Sequence, residues 1–137
     1  STLVYELPVP VFQAPVLSQH IWDATRKVIL ITGIANPASL VEHLQSRGLM
    51  VIHQSYLDHH NFTYQDIEKL SATFKAENTL ATMILTTEKD AQRLKIPQLF
   101  QIASALPLYY LPIRAEIIQA DKKEFESFIF EYVNSAL

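Results

Sequence analysis

Val28-Ile29-Leu30-Ile31-Thr32 is a short, unbroken apolar run. A strand with one wet face alternates apolar and polar residues, so an unbroken run marks a strand buried on both faces. Such a strand needs helices above and below it, and the flanking sequence supplies them. Gly33-Ile34-Ala35 ends the run, Asn36 is a good N-cap and Pro37 suits the first helical position. Leu40, Val41 and Leu44 then recur at helical spacing, and Gly48 is the expected terminating glycine. Leu49 to Ser55 reads as a second strand and Tyr56 to Phe62 as a polar loop with an aromatic at each end.

The same alternation continues. Thr63 and Asp66 form a capping-box pattern, and Ile67, Leu70 and Phe74 give the helix an inner face. Ala81 to Thr86 is a third strand. Thr87-Glu88-Lys89-Asp90 opens a helix with acidic residues where the helix dipole favours them. Pro97 starts a further helix, Leu108 to Pro112 is a fourth strand, and Glu116 to Gln119 an added edge strand. From Asp121, residues Phe125, Phe128, Ile129, Tyr132, Val133 and Ala136 lie at helical spacing, which predicts a closing helix with one apolar stripe. The expected fold is α/β: three layers, with a mostly parallel sheet of four to five strands flanked by helices.

Residues 1–25 read differently. Leu3, Tyr5 and Leu7 alternate, and Pro8 and Pro10 forbid a helix or a central strand. This segment is expected to be an extended arm or interdomain linker, and residues 26–137 the α/β domain. The chain opens at Ser1 and is expected to be a processed product or a piece of something longer.

Composition removes several functions. Gly33 and Gly48 are the two glycines, so neither a P-loop nor a dinucleotide-binding glycine motif can be written. The absence of cysteine excludes disulfides, thiolate metal sites and cysteine nucleophiles. A net charge of −3 carries no footprint for nucleic acid. No apolar run approaches the ~20 residues of a membrane-spanning helix.

In an open α/β sheet, ligands bind outside the carboxyl ends of the strands. Parallel strands would bring Gly33–Pro37, Asp58-His59-His60, Thr86–Asp90 and Pro112-Ile113-Arg114 to one rim. A histidine beside a carboxylate can act as a general base or hold a catalytic carboxylate. Equally, a surface loop can use the same histidines to cap or fill space. Adjacent histidines point in different directions, which weakens a metal reading. Thr86 to Asp90 either binds an anion at a helix N-terminus or simply caps the helix. Asn36-Pro37 reads as a plain cap. His20, His43 and His53 read as structural.

GIANP (Gly33–Pro37), then Asp58-His59-His60 with Phe62, Thr63 and Asp66, then Leu85 to Leu94 (LTTEKDAQRL), in this order, resemble the C-terminal half of the tetraacyldisaccharide 4′-kinases. The resemblance runs from about residue 25 to residue 115. It implies a Rossmann-like smaller domain of a lipid kinase whose P-loop domain lies N-terminal to it and is absent here. It implies transfer of the ATP γ-phosphate, with Mg²⁺, to the 4′-hydroxyl of a lipid A disaccharide precursor. The implied location is peripheral, on the cytoplasmic face of the bacterial inner membrane. Carried over, His59, with Asp58 beside it, pairs with a carboxylate of the P-loop domain and helps activate the sugar hydroxyl. Glu88, Lys89 and Asp90 are expected near the nucleotide, and Asn36, His60, Thr87 and Arg114 on the substrate or domain-closure rim. This chain alone is expected to bind neither ATP nor metal and to be inactive. Two other readings are a non-catalytic α/β interaction module and a metal-dependent phosphoesterase of the Asp-His-His type.

Overall fold

A computed structural model describes residues 2–78, 81–118 and 127–132, with side chains over 5–78 and 81–113. In chain order the elements are β1 (Thr2–Tyr5), β2 (Val9–Pro10), α1 (Gln19–Ala24), β3 (Lys27–Thr32), α2 (Ala38–Ser46), β4 (Met50–Ser55) and α3 (Tyr64–Glu77). Then follow β5 (Thr82–Thr87), α4 (Glu88–Leu94), α5 (Pro97–Ala103), β6 (Leu108–Leu111), β7 (Ile113–Ile118) and β8 (Ser127–Tyr132).

The apolar run is β3, and it is central because both its faces are apolar. The main sheet has the order β2-β6-β5-β3-β4, with β3 parallel to β4 and β5, and β5 parallel to β6. Val28 and Leu30 face one layer with Trp22 of α1 and Leu40 and Leu44 of α2. Ile29 and Ile31 face the other, with Ile67 and Leu70 of α3, Ala91 and Leu94 of α4 and Leu99 of α5. Val28 through Ile31 are completely buried. Each such Ile or Leu contributes about 1.5–3 kcal/mol from burial, so the two-sided run anchors the domain. This is the expected three-layer α/β fold, and β4, the strand after α2, lies beside β3.

Local signals act where they were read. Thr63 and Asp66 make a reciprocal capping box at α3. Gly48 ends α2 with φ +85°, a conformation glycine adopts without steric cost. At α2 the cap lies one residue later than expected: Pro37 occupies the cap position, and Asn36 Oδ1 accepts from the Ala38 N–H at 3.3 Å.

The segment expected as an extended arm is docked on the domain. β2 pairs antiparallel with β6 at the sheet edge, where Pro10 costs no central ladder bond. The segment also carries α1, whose Trp22 is buried under the Arg47 guanidinium, 4.5 Å from the ring centre.

Two expectations about the end of the chain are corrected. The added strand, expected at an edge over Glu116 to Gln119, is β7. It lies in the middle of a second, antiparallel sheet of order β1-β7-β8. The closing helix is replaced over Ser127–Tyr132 by β8, antiparallel to β7. Ser-Phe-Ile-Phe-Glu-Tyr is rich in aromatic and β-branched residues, which suit a pleated surface, and β7 offers a free edge to pair with. Gln119, Asp121, Glu124, Phe125, Val133 and Ala136 lie outside the described residues.

Candidate functional site

The parallel register of β3, β4 and β5 carries their carboxyl ends to one rim. Residues 33–37, 56–62 and 88–90 leave from it. The rim is held by a buried carboxylate. Thr87 ends β5 and caps α4: its Oγ1 accepts from the Asp90 N–H at 3.0 Å and donates to Asp90 Oδ2 at 2.9 Å. Asp90 is fully buried, a state a carboxylate tolerates only with several donors. The Gly33 N–H donates to Oδ2 at 2.9 Å, and Arg93 Nη1 donates to Oδ1 at 2.9 Å. Arg93 Nη1 also donates to the Gly33 carbonyl at 2.6 Å. Gly33 is closely surrounded. A Cβ there would stand 3.1 Å from His60 Cβ and 3.4 Å from both Asp90 Oδ1 and the Leu57 carbonyl.

The 56–62 loop closes on this anchor. The His60 N–H donates to the Leu57 carbonyl at 3.2 Å, making a turn with His59 in its third position. His59 has φ +64°, the sign a type II turn needs there and one that side chains rarely adopt. The His59 N–H donates to the Gly33 carbonyl at 3.1 Å, which holds the loop in that shape. The His59 ring is 73% exposed; its Nε2 stands 3.2 Å from Asp58 Oδ2, and its Nδ1 is 3.3 Å from Arg93 Nη2. The other Asp58 oxygen, Oδ1, is buried without a hydrogen-bond partner.

His60 turns inward. Its ring stacks on Tyr56 at 4.2 Å, meets Phe62 edge-on at 5.1 Å, and its Nε2 is 2.8 Å from Asp66 Oδ2. Burial raises the Asp66 pKa. Hydrogen bonds from His60, the Thr63 N–H, Tyr56 and the Thr63 hydroxyl together outweigh it and hold the carboxyl below its ordinary value. Burial raises the Tyr56 phenol, against a bond from Gln54 Nε2 at 2.7 Å.

The structure thus sorts the expected site residues. His59 and Asp58 lie at the surface of the rim. His60 is a packed support of the loop. Thr87 and Asp90 are buried, with side-chain oxygens bonded inside the chain. Glu88 and Lys89 are half-buried in the first turn of α4, and Asn36 is exposed just before the α2 cap. Arg114 falls in β7, and its side chain lies outside the described residues. Of the histidines read as structural, His53 bonds Thr32 at 2.8 Å and His43 stacks on Tyr5 at 3.8 Å. Sequence reading missed Arg93 as a site residue, although its i,i+3 spacing from Asp90 on a helix offered a signal. It also missed Asp66 as the partner of His60. Among the described residues, no three His, Asp or Glu side chains converge as a metal-binding group. The sequence holds no glycine-rich loop either.

A parallel α/β domain with a histidine–carboxylate pair on its carboxyl-end rim has the build of a domain that presents an acid–base group to a ligand. A family model for tetraacyldisaccharide-1-P 4′-kinase matches residues 10–134, and the chain belongs to that family. It is 33% identical over 134 residues to the tetraacyldisaccharide 4′-kinase of Phocaeicola vulgatus, covering 97% of this chain and 37% of that protein. It is 30% identical over 139 residues to the enzyme of that name from Parabacteroides distasonis, covering 100% and 38%. For Flavobacterium psychrophilum the values are 36% over 112 residues, covering 82% and 29%. The chain therefore spans about a third of the length of these relatives. No solved structure matches significantly. Among the described residues, no helix is long and apolar enough to cross a membrane.

Proposed function

We propose that this chain is the acceptor-orienting half of a kinase that phosphorylates the 4′-hydroxyl of a tetraacylated lipid A disaccharide precursor. The observation that carries this reading is His59. Within a chain of this kinase family, one histidine is held on the strand-end rim between a carboxylate and a guanidinium, with its ring open to solvent. A histidine so placed can hold and orient a partner carboxylate, which in turn takes the proton of an attacking hydroxyl.

Phosphoryl transfer needs a phosphate cradle and charge neutralisation as well as an oriented nucleophile. ATP and Mg²⁺ would supply the phosphoryl group and its neutralising charge. Because this chain has no glycine-rich phosphate loop, both are assigned to a companion P-loop domain. The reactive pocket then exists only when the two domains close. Glu88 and Lys89, at the start of α4, are the residues of this rim proposed to meet the closing domain. Asp58 orients His59 Nε2. The whole protein is proposed to work peripherally on the cytoplasmic face of the inner membrane, where its lipid substrate is presented.

His59→Ala in the complete kinase is expected to lower kcat by about 10²–10⁴-fold with little change in KM for the lipid. Near-wild-type turnover would remove His59 from the mechanism. The chain by itself is expected to show no ATP turnover, and low-micromolar ATP binding by calorimetry would contradict the division of labour.

A further inference from the structure

The Arg93 guanidinium is held from three sides within the rim. Nη1 is taken by the Gly33 carbonyl and Asp90 Oδ1, and Nη2 lies against His59 Nδ1. Its plane is set by groups from two loops and its own helix, and its counter-ion is fully buried. A guanidinium only donates hydrogen bonds. His59 Nδ1 must therefore accept, and the ring proton of the neutral imidazole lies on Nε2. That nitrogen points toward Asp58 Oδ2. The backbone is tied to the same place: the Gly33 carbonyl that takes Arg93 also takes the N–H of His59 and so holds its φ of +64°.

We propose that Arg93 is a positioning residue for His59. It locks the loop conformation through the shared Gly33 carbonyl, and it occupies Nδ1 so that the Nε2–H is offered, as a hydrogen-bond donor, to a carboxylate of the partner domain. Asp58 holds that nitrogen until the partner arrives. The claim about ring and loop stands on this chain alone; the claim about turnover rests on the kinase reading above.

The test has three arms. In ¹⁵N spectra of this chain at neutral pH, the His59 ring is expected to carry its proton on Nε2; a protonated Nδ1 would overturn the proposal and needs no variant. In Arg93→Lys, which keeps the charge beside Asp90 but cannot bridge three acceptors in one plane, the His59 amide is expected to exchange at least about tenfold faster, while Ile29 and Leu85 are unchanged. Unchanged exchange at His59, or a uniform rise across the core, would overturn the loop lock. In the complete kinase, Arg93→Gln is expected to lower kcat by about tenfold or more in the wild-type background and less than about twofold in His59→Ala. An equal loss in both backgrounds would show that Arg93 does not act through His59. If His59→Ala alone leaves turnover intact, the role given to His59 in turnover fails while the first two arms still decide the positioning.

Discussion

His59 and His60 are neighbours in sequence and opposites in setting. His60 is packed between Tyr56 and Phe62 and bonded to Asp66. The His59 ring is 73% exposed, with Asp58 at one nitrogen and Arg93 at the other. The positive φ at His59 sends the two rings to different sides of the turn. One histidine is packed into the fold, and the other leaves its ring open to solvent. What supports both is deeper: the carboxylate of Asp90, buried beneath the loop and bonded to Gly33, Thr87 and Arg93.

The largest expected effect tests that buried support. Asp90→Ala strips Arg93 of its counter-ion and leaves the Gly33 N–H without an acceptor. Removing one partner of such a pair should cost about 3 kcal/mol or more, read from the urea midpoint of the chain. A loss under about 1 kcal/mol would mean that the exposed histidine does not rest on a buried anchor.

Gly33→Ala comes next. The new methyl meets His60 Cβ first, so crowding should fall on the packed histidine rather than the open one. A cost of about 1–3 kcal/mol is expected, with ring-proton shifts at Tyr56 and His60 exceeding those at His59. The reverse order of shifts would break the contrast between the two rings.

The smallest effect is confined to acid. The Asp66 carboxyl has its pKa held below the ordinary value in the fold. Its contribution to stability is therefore fully present above the unfolded value of about 4 and is lost as pH falls through the folded value. In Asp66→Asn this contribution is missing at neutral pH, so the stability gap between variant and parent should narrow below about pH 4. A gap that is constant from neutral pH into acid would show that Asp66 acts only as a cap.

Much of this was legible in the residues. Val28 to Thr32 announced a doubly covered strand, Thr63 and Asp66 announced a helix start, and parallel strands placed the motif loops on one rim. Those signals are local, or follow from a general rule of open sheets. The last strand was not legible. Phe125 to Ala136 satisfies a helical period, but Ser127 to Tyr132 is also good strand sequence, and the partner edge of β7 decides between them. Nor did the sequence show that His60 packs inward on Asp66 or that Asp90 is a fully buried anchor.

By itself, then, the sequence determined the layers, the order of alternation and which segments meet at the rim, because hydrophobic period and capping act over a few residues. Only the tertiary structure decided which of those polar groups remain open to a partner. That choice depends on bonds such as Gly33 to Asp90 and Arg93 to His59, whose members lie 57 and 34 residues apart. A buried carboxylate must find its donors wherever the fold brings them, and no local pattern records where that is.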